Sequence, residues 1–353
     1  MAMIDLRSDT VTKPTPAMRR AMMEAEVGDD GRLDLQGMGE DPTMNRLEAM
    51  AAARLGKERA LFVPSGTMGN VVALMTHCRR GDEVVVGEKA HVLNIEKAIF
   101  MEELFGLIPV TIPDPAGKLD LALLEKALKT RPIRLVCVEN THNFAGGAAV
   151  PPEHLQKVQA LAQAHQVPVH MDGARLFNAA AALKVEVKVL VATVDSVMFC
   201  LSKGLSAPIG SMIAGTKPFI QRAWERRKLL GGQMRQAGVV AAAGIEALQN
   251  MVSRLEEDHQ KARVLARMLA QTGGLKSPEN FHSNMIKLDL ASLNLSAKEF
   301  QAEMAQRGVK VHIHGPTEIR LVTHKDVSEA ECLQAAQIIG QFWKERCGGM
   351  VAG

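Results

Sequence analysis

Short apolar runs alternate with helical segments through the first two thirds of the chain. Each run has three to five residues, which is typical of a buried strand and too short for a helix. The runs lie at residues 61–63, 84–86, 135–138, 167–171 and 196–200. The segments around them predict helices at 43–55, 66–77, 92–105, 119–128 and 152–165. Strands that alternate with helices form a mostly parallel sheet with helices on both faces, so the sequence predicts an α/β fold.

The pattern changes near residue 250. A long charged amphipathic helix is predicted first, followed by short strands and helices, which indicates a compact α+β unit. The predicted elements are a helix at 252–269, strands at 284–290, 309–313 and 319–323, and helices at 297–306 and 328–344. We therefore expect an N-terminal arm at 1–15, a large domain at 16–250 and a small C-terminal domain at 251–353.

Charge and cysteine content exclude several classes of function. A net charge of +3 over 353 residues indicates no nucleic-acid surface, and no apolar stretch has the length of a membrane span. Five scattered cysteines without a C-x-x-C pair indicate neither a disulfide framework nor a zinc site. The N-terminus lacks an apolar signal core, so we expect a cytoplasmic enzyme or binding protein that requires no metal.

A lysine follows the last of the apolar runs. Lys203 stands in the segment Leu-Ser-Lys-Gly just beyond residues 196–200. In open α/β sheets, ligands bind beyond the carboxyl ends of the strands. Apolar neighbours there would desolvate the ammonium group and favour a nucleophilic amine, as in a Schiff-base lysine. Taken alone, the motif is better explained by a surface lysine at the end of a strand.

Two further motifs follow predicted strands. Residues 64–70 (Pro-Ser-Gly-Thr-Met-Gly-Asn) lie between a strand and a helix, where free N–H groups can bind a phosphate. A helix cap by Ser65 or Thr67 explains this pattern equally well. Asp172 directly follows the run at 167–171 and could pair with a protonated ring nitrogen, with Arg175 facing the same cavity. A salt bridge or cap by Asp172 is the alternative.

Two histidines also follow predicted strands, His91 and His142. Either could be a helix-start or loop residue without a functional role. A phosphate cradle, a strand-end aspartate and a strand-end lysine together describe a site for pyridoxal 5′-phosphate. This combination is far more specific than any one of its parts.

Eight motifs resemble one enzyme family. They are Asp-Leu-Arg-Ser-Asp-Thr-Val-Thr (5–12), Gly-Glu-Asp-Pro-Thr (39–43), Ser-Gly-Thr-Met-Gly-Asn (65–70), Glu-Asn-Thr-His-Asn (139–143), Asp-Gly-Ala-Arg (172–175), Leu-Ser-Lys-Gly (201–204), Gly-Gly-Gln-Met-Arg-Gln (231–236) and Arg-Leu-Val-Thr-His (320–324). With these motifs the chain resembles the low-specificity L-threonine aldolases, within the fold type I (aspartate aminotransferase-like) class of pyridoxal-phosphate enzymes. The resemblance implies a large seven-stranded, mostly parallel sheet domain and a small C-terminal α+β domain.

The resemblance also implies roles for individual residues. Lys203 would form the Schiff base, Asp172 would hold the pyridinium and His91 would stack on the ring. Further cofactor contacts are implied for Ser65, Gly66, Thr67 and Arg175. Substrate contacts are implied for Ser8, Arg175, Arg320 and His142. Basic residues that reach the cofactor region, across the interface of a homodimer or homotetramer, are implied at Lys228 and Arg235.

The implied reaction is retro-aldol cleavage of a β-hydroxy-α-amino acid to glycine and an aldehyde, the work of a carbon–carbon lyase. L-Threonine, L-allo-threonine and phenylserine are the expected substrates. Either His91 or His142 could act as the base near the hydroxyl group. The alternatives are β-elimination, racemisation or transamination on the same cofactor, or a pyridoxal-phosphate-binding protein without catalysis.

One segment departs from the family pattern. Family members usually run from Gly-Asp-Asp through a tyrosine to Gly-Glu-Asp-Pro within a few residues, whereas here residues 31–38 intervene and the chain has no tyrosine. We expect loop 29–41 to form an adaptable apolar wall that accepts bulky β-substituents. Its apolar side chains would be Leu33, Leu35 and Met38. A loop that folds outward into solvent is equally consistent with its charged residues Asp29, Asp30, Arg32 and Asp34.

Overall fold

The structure is a computed structural model that describes residues 3–33, 37–271 and 283–349. Its strands are β1 (Ile4–Asp5), β2 (Arg59–Val63), β3 (Glu83–Gly87), β4 (Ile108–Ile112), β5 (Ile133–Glu139), β6 (Val169–Asp172), β7 (Ser196–Cys200), β8 (Ser211–Gly215), β9 (Met285–Asp289), β10 (Val309–Lys310), β11 (His312–Ile313) and β12 (Glu318–Val322). A seven-stranded sheet has the order β2–β8–β7–β6–β5–β3–β4. Strand β8 runs opposite to the other six strands, which all point the same way, so the predicted mostly parallel sheet is confirmed.

Helices cover both faces of this sheet. The helices of the described residues are α1 (Pro16–Met23), α2 (Pro42–Leu55), α3 (Gly66–His77), α4 (Leu121–Thr130), α5 (Pro152–Ala164), α6 (Leu176–Leu183), α7 (Val187–Val191), α8 (Lys217–Leu229), α9 (Gly238–Glu246), α10 (Leu255–Ala270), α11 (Ala297–Gln306) and α12 (Glu329–Gly349), of which the last three belong to the smaller unit that follows α9. Alternate residues of β3 enter different cores. Val85 packs with Leu124 and Leu155, whereas Val84 and Val86 pack on the α3 face. None of the described helices is long and apolar enough to cross a membrane.

A second, smaller unit follows α9. Strands β11, β12 and β9 form an antiparallel sheet, and α10 and α12 pack together beside it. Its core contains Leu265, Phe300 and Ile319. The predicted boundary near residue 250 stays a prediction, and this separate core supports it.

The N-terminal arm connects the two units. Its strand β1 pairs in parallel with β10, with Ile4 opposite Val309. Farther along, the Thr12 hydroxyl donates to the carbonyl oxygen of Lys203 at 3.0 Å. The arm is therefore pinned to the small unit at one end and to the large sheet at the other.

Two predicted elements differ in the structure. The helix expected at 92–105 is instead a π-helical turn (Val92–Glu96) and a 3₁₀ turn (Ala98–Phe100), because Lys97 between them has φ 54° and ends the helical path. The strand expected at 309–313 is divided into β10 and β11. It breaks because β10 pairs with the arm while β11 pairs with β12.

Candidate active site

A cavity of about 740 Å³ lies beyond the carboxyl ends of the large sheet's strands. The arm, the start of α3, the segments after β6 and β7, and the small unit all contribute to its walls. The structure thus brings eight predicted site residues to one cavity: Ser8, Ser65, Gly66, Thr67, His91, Arg175, Lys203 and Arg320.

Lys203 stands on the turn between β7 and β8. Its carbonyl oxygen accepts hydrogen bonds from the Ser206 N–H at 2.8 Å and from the Thr12 hydroxyl at 3.0 Å. These bonds fix the backbone at the strand end. The half-buried side chain of Lys203 lines the cavity together with Met198 and Cys200. Lys203 therefore lies beyond the carboxyl end of a strand, at the cavity where the sequence predicts a ligand.

The N-terminus of α3 forms another part of the wall. The Ser65 side chain accepts the Met68 N–H at 3.1 Å, which caps the helix. The N–H groups of the first helical residues have no partner within the helix, so Gly66 and Thr67 offer donors for an anion. A Cβ on Gly66 would come within 2.9 Å of the Cys200 sulfur. Glycine therefore allows the helix to begin close against the end of β7.

Asp172 is the last residue of β6 and is buried. One carboxylate oxygen accepts the amide N–H of Asn70 at 2.9 Å, and the other accepts the backbone N–H of Ala174 at 3.0 Å. Its carboxylate and the His91 ring nitrogen lie within 4.8 Å of each other. The two hydrogen bonds therefore hold the Asp172 carboxylate in place close to His91, which lines the cavity.

His91 carries its proton to a higher pH than an ordinary histidine. Its ring Nδ1 lies 3.0 Å from a Glu96 oxygen, and its backbone N–H donates to Glu139 at 2.8 Å. Burial lowers the pKa of His91, but the Glu96 hydrogen bond and the nearby carboxylates, Asp172 included, raise it on balance. Because Nδ1 is engaged with Glu96, Nε2 is the ring nitrogen left for the cavity.

His142 is not among the residues that line the cavity. It is buried, with Nε2 2.8 Å from an Asp114 oxygen, and its Nδ1 accepts the Ala145 N–H at 3.2 Å. Both ring nitrogens are therefore occupied. The chain turns here, because the His142 N–H donates to the Ala148 carbonyl. The next two residues, Asn143 and Phe144, line the cavity instead of His142. The geometry does not support the predicted contact of His142 with a substrate hydroxyl.

Arg175 is oriented by a residue that the sequence reasoning did not single out. Its guanidinium donates to both carboxylate oxygens of Asp9, at 2.8 and 2.6 Å, and both side chains are buried. Burial raises the pKa of Asp9, but the charge and hydrogen bonds of Arg175, helped by Lys203 and Arg320, hold it well below the usual range. Asp9 therefore stays ionised and fixes the Arg175 fork.

Arg320 is a buried cation whose hydrogen bonds go to neutral groups. Its Nη1 donates to the Asn143 side-chain oxygen at 2.7 Å and its Nη2 to the Arg7 carbonyl at 3.3 Å. Its buried Nε donates to no group in the part of the chain that the structure describes. Burial and the nearby charge of Arg175 lower the pKa of Arg320 to about 10. Such a guanidinium at a cavity wall suits a carboxylate ligand.

Asn70 links two acidic side chains at this site. Its amide nitrogen donates to Asp172 at 2.9 Å and to Glu96 at 3.1 Å. His91, Glu96 and Asp172 place ligand atoms within 4.8 Å of one another, the spacing of a cation site. The Asn70 N–H group already donates to both carboxylates, so a hydrogen-bonded network accounts for the cluster.

The remaining predicted residues lie elsewhere. Lys228 is exposed beside Trp224, and Arg235 is exposed and paired with Asp29. In loop 29–41, Leu33 is exposed and Met38 contacts Arg59. Leu35 lies outside the described residues. The described part of this loop does not line the cavity, so the geometry does not support the expected apolar wall.

Comparisons with known proteins agree with this geometry. The beta-eliminating lyase family model matches residues 5–291. Low-specificity L-threonine aldolase 1 of Arabidopsis thaliana is 42% identical over 97% of this chain and 98% of its own. The low specificity L-threonine aldolase of Escherichia coli K12 is 41% identical over 95% and 97%, respectively.

Solved structures share the fold. A threonine aldolase from Leishmania major superposes with a TM-score of 0.80 at 19% identity, over 96% of this chain and 99% of that chain. An aspartate aminotransferase from Rhodobacter sphaeroides superposes with a TM-score of 0.75 at 19% identity, over 98% and 94%. Both likenesses confirm the predicted fold type I architecture.

Fold and site together define an α/β enzyme of the beta-eliminating lyase family. Within it, the chain belongs to the low-specificity L-threonine aldolase family, a family of carbon–carbon lyases. The resemblance that eight short motifs indicated is therefore confirmed over nearly the whole chain.

Proposed function

We propose that this enzyme cleaves β-hydroxy-α-amino acids, L-threonine and L-allo-threonine among them, to glycine and an aldehyde, with pyridoxal 5′-phosphate as cofactor. The observation that carries the proposal is the convergence on one cavity of an amine, a helix N-terminus and two arginines. These groups are Lys203, the start of α3, Arg175 and Arg320.

The residues present fit this cofactor. Lys203 would hold its aldehyde carbon, Asp172 its ring nitrogen, and Ser65, Gly66 and Thr67 its phosphate. His91 would cover the ring. The buried carboxylate of Asp172 is fixed by two N–H donors, which would hold it in one position opposite the ring nitrogen. When bound, the cofactor supplies an electron sink for the bond that breaks.

The chain's own side chains bind the substrate. Arg320 would receive the substrate carboxylate, because its buried Nε donates to none of the described residues. Arg175, fixed by Asp9, would add a second positive charge, and Ser8 lies at the same wall. This clamp would hold the α-carbon in one orientation near Lys203.

His91 is the histidine that the geometry favours as the base near the β-hydroxyl. A general base must lie within hydrogen-bond reach of the proton that it removes. His91 lines the cavity and keeps Nε2 available, whereas both ring nitrogens of His142 are engaged. We therefore propose that the neutral form of His91 accepts the hydroxyl proton at Nε2, with Glu96 fixing the ring. Because the pKa of His91 is raised, this step is favoured at a pH above that pKa.

A substrate panel tests the proposal. The purified enzyme is incubated with threonine, allo-threonine, phenylserine and serine, and glycine and aldehyde are quantified together. We expect equal amounts of both products from the first two substrates. Lys203→Ala should lose both this turnover and the visible absorbance of the bound cofactor, since the amine is gone. Keto acids and ammonia in place of glycine would instead indicate β-elimination.

We also propose that the enzyme is a homodimer or homotetramer in which Lys228 and Arg235 approach a neighbour's cofactor. Both are exposed and lie away from the cavity of their own chain, which supports this role. Mixing inactive Lys203→Ala with inactive Arg235→Ala should restore part of the activity, because one mixed site would be intact. No recovery after subunit exchange would contradict shared sites. A cytoplasmic location stays a prediction.

A further inference from the structure

Two aromatic side chains from different parts of the chain meet at the cavity wall. Phe144 follows β5, and His314 follows β11 in the small unit. Their ring centroids are 5.0 Å apart and their planes are inclined by 34°. Both residues line the cavity. This Phe144–His314 pair is a wall that both units build together.

The pair lies beside the candidate carboxylate clamp. Asn143, the residue before Phe144, accepts the Arg320 Nη1 hydrogen bond at 2.7 Å. On the other side, His312 stands opposite Arg320 in the β11–β12 pairing, and His314 is two residues farther along. The segments that position Arg320 therefore also position the two rings. A ligand whose carboxylate bound Arg320 would therefore have this pair within the same cavity.

His314 presents an uncharged ring at neutral pH. Burial and the nearby charges of Lys287 and Arg320 lower the pKa of His314 to about 4. The imidazole therefore adds aromatic surface to the wall without adding another cation beside Arg320 and Arg175. Ile313, between the two histidines, also lines the cavity and extends its apolar area.

We propose that the Phe144–His314 pair is a specificity-determining wall that contacts the substrate's β-substituent and favours an aryl group over a methyl group. The inference rests on the proposed aldolase function. An aryl group buries more apolar area than a methyl group and can pack against both rings in offset or edge-to-face geometry. A wall of this kind is expected to make kcat/KM for the aryl substrate higher than that for the methyl substrate by on the order of tenfold.

The test compares phenylserine with threonine. Phe144→Leu removes the ring while keeping an apolar side chain, and His314→Ala removes the second ring. Each should lower kcat/KM for phenylserine about tenfold while changing that for threonine by less than about twofold. His314→Phe should keep the wild-type ratio, because it restores an aromatic surface. Ile209→Ala, at another part of the cavity lining, is the matched control and should leave the ratio unchanged.

The two variants should also be coupled. Because the rings pack on each other, the double variant should lose less than the product of the two single losses. The proposed role of the Phe144–His314 pair would be overturned by an unchanged ratio of kcat/KM for phenylserine to that for threonine in Phe144→Leu and His314→Ala. An equal drop of this ratio in Ile209→Ala would overturn it as well. Normal threonine cleavage in those variants would show that the clamp and fold are intact. Failure of the wild-type enzyme to release glycine from either substrate would instead overturn the proposed function itself.

Discussion

Asn70 donates the hydrogen bonds that position two carboxylates next to the cavity. It donates to Asp172 and Glu96, and its oxygen faces His170 Nε2 at 3.3 Å. We expect Asn70→Leu to leave two buried carboxylates partly unsatisfied. A lost hydrogen bond to a charged group costs about 1.5–3 kcal/mol, so kcat should fall about ten- to a hundredfold. The pH titration of the cofactor's visible absorbance should shift as well, which a purely structural residue would not cause.

Asn250→Leu is the control for this prediction. Asn250 is exposed, and its amide donates to Glu246 within the same helical turn. This variant should leave both the absorbance titration and kcat unchanged. If Asn70→Leu behaved in the same way, the network would have no influence on Asp172.

Sequence patterns alone led to residues in local motifs at strand ends that the structure places at the cavity, but not to the partners that hold them. Lys203 and Arg175 could be selected because each follows a strand in a short recognisable motif. Asp9 and Asn70 could not, since their contacts join residues 166 and 102 positions apart. His142 shows the limit of the strand-end pattern: it follows a strand, but the turn after it brings Asn143 and Phe144 to the cavity instead, and its role stays a prediction.

At the level of elements, the N-terminus of α3 lies close against the end of β7. A Cβ at Gly66 would lie 2.9 Å from Cys200 Sγ and 3.5 Å from Met198 Cε. Gly66→Ala should displace the helix N-terminus, because overpacking costs about 1–3 kcal/mol. We expect the dissociation constant for pyridoxal 5′-phosphate, measured by absorbance titration, to rise about tenfold.

A second-site change distinguishes crowding from other effects of the alanine. Cys200→Ala removes the sulfur that the new Cβ would meet, so the double variant Gly66→Ala/Cys200→Ala should recover much of the affinity. Normal cofactor binding by Gly66→Ala alone would show that the helix start tolerates the contact.

Elements with weak periodicity were the ones that the sequence did not reveal. β4 is an edge strand with exposed Ile108 and Pro109, so it lacks a continuous apolar run. β8 is fully buried, but its residues Ser211–Gly215 include serine, alanine and glycine. The division of 309–313 depends on two different pairing partners, which no local pattern encodes.

For the whole molecule, buried neutral histidines predict acid sensitivity. Burial lowers the pKa of His259 to about 4, and its Nε2 lies 3.1 Å from the Asn178 amide nitrogen. The folded pKa is below the unfolded value, so the unfolded state binds more protons and stability falls as the pH falls below about 6.5. One such histidine lowers the free energy of unfolding by about 2 kcal/mol between pH 8 and pH 5.

His259→Gln should make that pH dependence shallower by about 2 kcal/mol, because glutamine accepts the Asn178 hydrogen bond without titrating. Urea unfolding of the holoenzyme at both pH values measures the difference. His165→Gln, at an exposed histidine, is the control and should reproduce the wild-type dependence. An unaltered slope in His259→Gln would assign the acid sensitivity to other groups.

The N-terminal arm joins the two units through a pair of charges. Val322 donates to the Leu6 carbonyl in the small unit, and three residues farther along the arm Asp9 holds Arg175 in the large one. Removing one partner of a buried ion pair leaves an uncompensated charge and costs about 3–5 kcal/mol. Asp9→Asn should lower the free energy of unfolding by that amount and raise KM for threonine, because Arg175 loses its orientation.

Asp5→Asn provides the comparison within the same arm. Its Arg7 partner is half-exposed, with 44% of the side chain accessible, so the loss should be only about 0–1 kcal/mol. Urea unfolding and threonine kinetics on both variants decide the matter. Equal losses in the two variants would mean that the arm acts through β1–β10 pairing alone. A large stability loss in Asp9→Asn without any change in KM would show that Asp9 joins the two units but does not orient the carboxylate clamp.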